Sequence, residues 1–100
     1  EALAKANENS WRILFSIANV FSYNEYFKEA IQMWQKTFDC MPKPRYTDSF
    51  EAMAQCCVRM GDHESAVEYY KKELELLRED WGLKYGAEVD ALEEKIRALQ

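Results

Sequence analysis

Residues 50–77 contain two apolar stripes of helical spacing that are interrupted once, by the pair Gly61-Asp62. Within each stripe the apolar residues recur every three or four positions, a spacing that places them on one face of an α-helix. The stripes consist of Phe50, Met53, Ala54, Cys57 and Met60, and then of Ala66, Val67, Tyr70, Leu74 and Leu77. Because the break between them is too short for a strand, we predict two amphipathic helices joined as an antiparallel hairpin.

The same pattern occurs 36 residues earlier in the chain. The stripe at Leu14, Ile17, Ala18 and Phe21 matches the one at Phe50, Met53, Ala54 and Cys57, and Ala30 and Trp34 match Ala66 and Tyr70. Both helices of the hairpin therefore repeat together, with a break near residues 23–26 in the first copy. We predict an all-α fold of about five helices that contains two consecutive hairpins.

Proline and glycine mark the ends of these predicted elements. Pro42 and Pro44 cannot continue a helix, and Gly82 and Gly86 indicate a loop after the second hairpin. A last helix is predicted from the stripe Val89, Leu92, Ile96 and Leu99. We therefore predict a single domain, 1–100, with a lead-in (1–10), a first repeat (11–41), a linker (42–47), a second repeat (48–81) and a C-terminal capping helix (87–100).

Two hairpins with this pattern resemble the tetratricopeptide repeat, a helix-turn-helix unit of about 34 residues. The resemblance covers roughly residues 11–44 and 47–80. The family's positions are matched in the second copy by Phe50, Met53, Ala54, Cys57, Gly61, Ala66 and Tyr70, and in the first by Leu14, Ile17, Ala18, Phe21, Ala30, Trp34 and Thr37, with Pro42 as the closing proline. The first copy departs from the family at Glu25, where the turn usually has Gly. The resemblance implies antiparallel hairpins stacked as a short right-handed solenoid.

The last helix is open to three interpretations. It can be a cap over the open end of the second hairpin, a short coiled-coil seam that seals a dimer, or the first helix of a further repeat. Repeat proteins usually need about three units, because each hairpin buries its apolar face only against its neighbours. The two and a half units here indicate a piece of a longer protein, an edited chain, or a protomer that completes its core by self-association.

Composition disfavours several classes of protein. The chain is 48% hydrophobic with three Gly and two Pro, which favours a packed helical core. Its longest apolar run is far short of the roughly 20 residues that span a bilayer, and its first residues do not resemble a signal peptide. The net charge of −5 disfavours nucleic acid or an anionic membrane as the main partner. Cys40, Cys56 and Cys57 fit neither a disulfide framework nor a zinc site, so we expect a reducing, cytoplasmic location.

In an architecture of this kind the partner-binding surface is the concave face, which the first helix of each hairpin lines. We predict this surface to contain Arg12, Phe15, Asn19, Tyr23, Asp48, Glu51, Gln55, Arg59, Asp90 and Glu94. Phe15 and Tyr23 supply apolar anchors, and the carboxylates supply negative charge. A short peptide with one hydrophobic and one basic side chain complements such a surface. Two simpler interpretations stay open: Asp48 and Glu51 can be a helix cap and a solvated face, and Phe15 can pack against a neighbouring helix.

The sequence thus predicts a protein-interaction module, a scaffold or adaptor, that binds a peptide or helix of a partner protein. The alternative is a self-assembly unit that homodimerises through its open end or its C-terminal helix. A clamp of Lys, Asn and Arg for chaperone tails, known in the family, is disfavoured because Phe15 and Asp48 stand where lysines are needed.

Neither an enzyme nor a metal or other cofactor is predicted. His63 is the single histidine, it lies in a predicted turn, and no nucleophile has a reason to face it. There is no glycine-rich phosphate loop and no cluster of metal ligands in the sequence. The carboxylates of the second hairpin are expected on solvated faces, with lysines and arginines interleaved: Glu64, Glu68, Glu73 and Glu75.

Overall fold

The computed structural model describes residues 10–100 of the chain. Within this range it confirms an all-helical fold, with five helices and no strand. The helices are α1 (Ser10–Tyr23), α2 (Phe27–Cys40), α3 (Asp48–Arg59), α4 (His63–Trp81) and α5 (Ala87–Leu99). The predicted lead-in lies outside the described residues, except for Ser10, which belongs to α1. None of these five helices combines the length and apolar character that a membrane span requires.

The turns inside the two hairpins share an unusual backbone conformation. Gly61, between α3 and α4, has a φ of 81°, and Glu25, at the matching position between α1 and α2, has a φ of 67°. Glycine adopts this left-handed region freely, whereas a residue with a Cβ atom is strained there. The first turn therefore has the same backbone geometry as the second, although its residue at this position is Glu and not Gly.

The starts of α3 and α4 differ in how they are capped. Asp62 accepts a hydrogen bond from the backbone N–H of Ser65 at 3.1 Å and so is the N-cap of α4. Thr47 precedes α3 but makes no side-chain capping bond. The carboxylate of Glu51 instead accepts hydrogen bonds from Gln55 and Lys95. The start of α3 therefore lacks the side-chain cap that α4 has.

The five helices lie in two layers. Consecutive helices share most of the packing contacts, and longer side chains link alternate helices. These links join Arg59 of α3 to Ser22 of α1, Lys95 of α5 to Glu51 of α3, and Gln35 of α2 to Tyr69 of α4. Helices α1, α3 and α5 therefore form one layer, and α2 and α4 form the other. The described chain is only 16 Å deep along its shortest axis, as expected for two layers of helices.

The buried core follows the 36-residue repeat. Small residues occupy matching positions where helices approach closely, and a large aromatic residue fills the matching position on the second helix of each hairpin. The matched buried pairs are Ala18 with Ala54, Ala30 with Ala66, and Trp34 with Tyr70. The two hairpins therefore use equivalent positions for packing, as the sequence predicts.

Three of the predicted assignments to core or surface are wrong. Ile17, predicted in the core, is 41% exposed, because no helix within residues 10–100 covers that side of α1. Met60 is 39% exposed, because α3 ends at the residue before it. Glu73, predicted on a solvated face, is only 5% exposed, because it points toward the space between α3 and α5.

The linker between the hairpins is fixed to the end of α4. The backbone N–H and Nε of Arg45 both donate to Oδ2 of Asp80 at 2.8 Å, and Nη2 donates to Oδ1 at 2.9 Å. This pairing holds the pKa of Asp80 well below its usual range. Trp81 Nε1 donates to the carbonyl of Arg45 at 2.6 Å, and the ring of Tyr46 stacks on that of Trp11 with centroids 5.3 Å apart. The linker is therefore held in place by these contacts and forms one wall of the surface beside it.

Candidate functional site

Three adjoining depressions cross the layer that contains α1, α3 and α5. The first, of about 350 Å³, extends from Phe15 of α1 to Glu51 of α3. The second, of about 190 Å³, lies between α3 and α5, and the third, of about 400 Å³, lies between the linker and the end of α4. Thr47 lines all three, so they form one continuous surface. We call this surface the acidic groove, after the four acids that line it: Asp48, Glu51, Glu73 and Glu88.

Half of the residues predicted for the binding surface meet in the first depression. They are Phe15, Asn19, Asp48, Glu51 and Gln55. Phe15 also packs against the core, with its ring centroid 6.3 Å from that of Trp34, so both interpretations of this residue describe part of its environment. The two helices that were expected to form one face do so here, because matching positions of α1 and α3 point to the same side.

Arg12, Tyr23 and Arg59 are not among the residues that line the groove. The guanidinium of Arg12 lies 5.6 Å from the centre of the Tyr46 ring, and it also covers Trp11. Arg59 donates to the Ser22 hydroxyl at 3.2 Å and so connects the ends of α3 and α1. Tyr23 is 85% exposed at the end of α1. None of these three residues lines the depressions that the structure describes.

The side of α5 that faces the groove differs from the predicted one. Glu88 and Lys95 line the second depression, whereas Asp90 and Glu94 are exposed and lie outside its lining. Glu94 pairs instead with Arg97 on the outer side of the helix. Helix α5 buries Val89, Leu92 and Ile96 of the predicted apolar stripe, and with this stripe buried Glu88 and Lys95, not Asp90 and Glu94, lie beside the groove.

An ion pair connects the two walls of the second depression. Lys95 Nζ lies 2.7 Å from Oε2 of Glu51 and 5.5 Å from the centre of the Tyr70 ring. Gln55 donates to the same carboxylate oxygen at 2.9 Å. The bond to Glu51 raises the pKa of Lys95, so its ammonium group is fully charged at neutral pH. The groove therefore already holds one cationic group between a carboxylate and an aromatic face.

Glu73 lies at the base of the groove and is the functional candidate that the sequence analysis missed. Burial, followed by the negative charge of Glu51, a hydrogen bond to Glu51 and the charge of Asp48, raises the pKa of Glu73 to about 8, against the opposing effect of Lys95. The carboxyl group is therefore mostly protonated at neutral pH. The 36-residue repeat offers a signal for this residue. Thr37, which matches Glu73 in the first hairpin, is a predicted family position and is fully buried.

The third depression is the second feature that the sequence analysis missed. Its apolar walls come from Tyr46, Leu77, Trp81 and Leu83, and its polar rim includes Glu88. Trp81 is 47% exposed there although its indole N–H is bonded to the linker. The sequence predicts only a boundary between a helix and a loop in this region, because no periodic pattern joins residue 46 to residue 81.

These depressions together offer an apolar pocket, a row of carboxylates and one ammonium group. Among residues 10–100 no cluster of three or more His, Cys, Asp or Glu side chains has a geometry that could hold a metal ion. No protein-family model, curated protein or solved structure matches this chain. The arrangement is suited chemically to hold a ligand that is apolar at one end and positively charged at the other.

Proposed function

We propose that this chain is a protein-interaction module whose acidic groove binds a short peptide with one apolar and one basic side chain. The observation that carries the proposal is the continuity of the apolar pocket at Tyr46 and Trp81 with the carboxylates around Glu51. Burial of the apolar side chain supplies affinity, and the carboxylates select a basic neighbour and speed its approach.

The arrangement of the helices is, in this proposal, a short solenoid of the tetratricopeptide type. Three observations support it: the matched buried positions 36 residues apart, the shared turn geometry at Glu25 and Gly61, and the packing of each helix mainly on its neighbours in the chain. The concave face of such a stack is the surface that contains the acidic groove. A scaffold or adaptor role in the cytoplasm accords with Cys56 and Cys57, which are buried free thiols used as small apolar residues.

Peptide titrations observed by NMR test the proposal. We would titrate the ¹⁵N-labelled chain with hexapeptides that contain one leucine and one lysine separated by zero to four alanines. The indole N–H signals report directly, because Trp81 lines the groove whereas Trp34 is buried in the core. We expect saturable shifts of the Trp81 indole and of amides near Glu51, with the Trp34 indole unchanged. Absence of saturable shifts for every peptide spacing contradicts the proposal.

A matched pair of variants on α5 tests the contribution of charge. Glu88 lines the groove, whereas Glu93 is exposed on the same helix and lies outside the lining. Glu88→Gln should weaken the best lysine peptide about two- to fivefold, which corresponds to the roughly 0.5–1 kcal/mol of a partly exposed ion pair. Glu93→Gln should leave the affinity unchanged. An equal loss of peptide affinity in the two variants would show that the affinity depends on the net charge of the protein and not on a carboxylate in the groove.

A second candidate function, self-assembly, is favoured by a separate observation on α1. Ile13, Ile17 and Val20 form an exposed apolar stripe, with 58%, 41% and 62% of their surfaces accessible. Their matches in the second hairpin, Ser49, Met53 and Cys56, are all buried against α2. The outer side of α1 therefore has the character of a packing face, and a second copy of the chain can cover it in a symmetric dimer.

Sedimentation equilibrium over a wide concentration range tests self-assembly. A dimer that dissociates in Ile17→Lys, but not in the control Val58→Lys on an exposed position of α3, supports this second candidate. A monomer at all concentrations leaves peptide binding as the proposed function.

A further inference from the structure

Glu73 is a buried acid that the rest of the chain leaves incompletely satisfied. Its side chain is 95% removed from solvent, and Oε1 has no hydrogen-bond partner within residues 10–100. Buried polar atoms are nearly always paired, and an exception in a cleft often marks a place where a ligand supplies the missing partner. Glu73 lines both the first and the second depression, so this buried acid lies directly beneath the surface of the groove.

The groove already contains an example of the group that fits beside this acid. The ammonium of Lys95 lies between the carboxylate of Glu51 and the ring of Tyr70, at 2.7 Å and 5.5 Å. This is the environment in which proteins hold a lysine side chain of a ligand: a carboxylate partner and an aromatic face. The ammonium of Lys95 pairs with Glu51, but Oε1 of Glu73 is left without a hydrogen-bond partner in the described residues.

We propose that Glu73 is the specificity-determining residue of the acidic groove, and that it binds the lysine or arginine side chain of a ligand by releasing its own proton to solvent. This inference rests on the proposed peptide-binding function and names the residue and the chemistry of recognition. The free groove keeps Glu73 neutral, and the entering cation replaces the proton as the group that balances the buried charge. Lys95 is the internal competitor for the same carboxylates.

The proton exchange follows from the groups that surround Glu73. Asp48 and Glu51 of α3 contribute negative charge, and Lys95 of α5 contributes one positive charge. Glu88 of α5 lines the second depression with Glu73, and Phe15 and Asn19 of α1, which line the first, are uncharged. In this surrounding the pKa of Glu73 is raised to about 8, and a bound cation must lower it again. Binding below pH 8 therefore releases a proton, and the affinity for a cation must rise with pH until Glu73 is ionised in the free protein.

A direct test measures the ionisation of Glu73 by ¹³C NMR of the glutamate side chains, with the signal assigned from its loss in Glu73→Gln. The probe is n-butylammonium chloride, which has the charge and the stem of a lysine side chain, at 100 mM and compared with 100 mM NaCl. If the ammonium binds the ionised form with a dissociation constant of about 10 mM, the pKa of Glu73 falls by about one unit. An unchanged pKa in butylammonium overturns the proposal.

Removal of the internal competitor provides a rescue experiment. Lys95→Met keeps most of the side-chain stem and deletes the ammonium group, so the pKa of Glu73 should rise above its value in the unchanged chain. Butylammonium should then lower it by more than in the unchanged chain, because the position beside Glu51 is vacant. Lys72→Met, whose ammonium lies over Tyr69 on α4, is the control and should change neither value. A Lys95→Met protein that does not respond to butylammonium contradicts the proposal.

Peptide affinity separates this inference from the proposed function. The best leucine-lysine hexapeptide should bind about tenfold more tightly at pH 7 than at pH 6. The same peptide with norleucine in place of lysine should show no such change. The change with pH should disappear in Glu73→Gln and persist in the control Glu75→Gln, an exposed position of the same helix. Binding that is independent of pH and of Glu73 overturns the inference while the peptide-binding function stands. A pKa response to butylammonium without any peptide binding supports the cation site and contradicts the proposed function.

Discussion

Replacement of the buried acid Glu73 by glutamine should stabilise the protein, and by more as the pH rises. Glu73 is ionised in the unfolded chain above its ordinary pKa of 4.5, but the folded protein keeps it protonated up to a pKa of about 8. Between these values the folded state binds more protons than the unfolded state, so the free energy of unfolding decreases as the pH rises. Glutamine cannot ionise, and its side-chain amide can still donate a hydrogen bond to Glu51.

The size of the effect follows from the two pKa values of Glu73. The loss of stability grows by about 1.4 kcal/mol per pH unit within the window, because one pKa unit corresponds to that free energy. At pH 7 the free energy of unfolding of the native chain is therefore about 3 kcal/mol lower than that of a chain without this ionisation. Below pH 4.5 both states are protonated, and the loss vanishes. We expect Glu73→Gln to gain about 3 kcal/mol over the native chain at pH 7 and under 1 kcal/mol at pH 5.

Urea unfolding followed by circular dichroism at pH 5, 6, 7 and 8 measures this difference. The comparison between variant and native chain at each pH cancels the contributions of the other titratable groups. Glu75→Gln is the control, because Glu75 is exposed on the same helix and its substitution should change stability little at any pH. A difference between Glu73→Gln and the native chain that is constant from pH 5 to pH 8 would refute the reasoning.

Two further predictions concern the repeat turn and the linker. Glu25→Gly should raise the free energy of unfolding by about 0.5–1 kcal/mol, because it relieves a left-handed conformation at φ 67°. Gly61→Ala should lower the free energy of unfolding by a similar amount. Urea unfolding measures both variants, and a less stable Glu25→Gly or a more stable Gly61→Ala contradicts this account. Asp80→Asn should cost about 2 kcal/mol near neutral pH, because it removes a charged acceptor of three hydrogen bonds from Arg45. Since the pKa of Asp80 is lowered in the folded protein, its contribution is lost as the pH falls, and the variant and native chain should converge in acid; a difference that stays constant contradicts this prediction.

The helices were predictable from sequence because local periodicity determines which residues can be buried together. Gly61 and Asp62 identified one turn, and the 36-residue offset located the other although Glu25 is not a glycine. Periodicity cannot show, however, whether a neighbouring helix covers a given apolar stripe. Ile17 has the same spacing as Met53, but only Met53 has a helix packed against it within residues 10–100.

The part of the groove between the repeated helices α1 and α3 was predictable from sequence. The parts that long-range contacts form were not. Matching positions brought Phe15, Asn19 and Glu51 to one surface, because α1 and α3 face the same way. The apolar stripe of α5 was predictable, but it does not show which flanking polar side lies beside the groove, and Asp90 and Glu94 lie outside the lining. The pocket at Trp81 depends on the pairing of Arg45 with Asp80, a contact between residues 35 positions apart that no local pattern indicates.

The repeat itself explains why a buried acid lies at the base of the groove. In the first hairpin the matching residue is Thr37, whose hydroxyl lies 2.7 Å from the hydroxyl of Ser49 and so closes the contact between α2 and α3. The match of Ser49 one repeat later is Tyr85, which precedes α5 and is 81% exposed, so α5 supplies no equivalent partner for Glu73. The contact between α4 and α5 therefore stays open at this level, and the open space is the second depression. The proposed binding of a cation by Glu73 accounts for a carboxyl group that costs stability at this position.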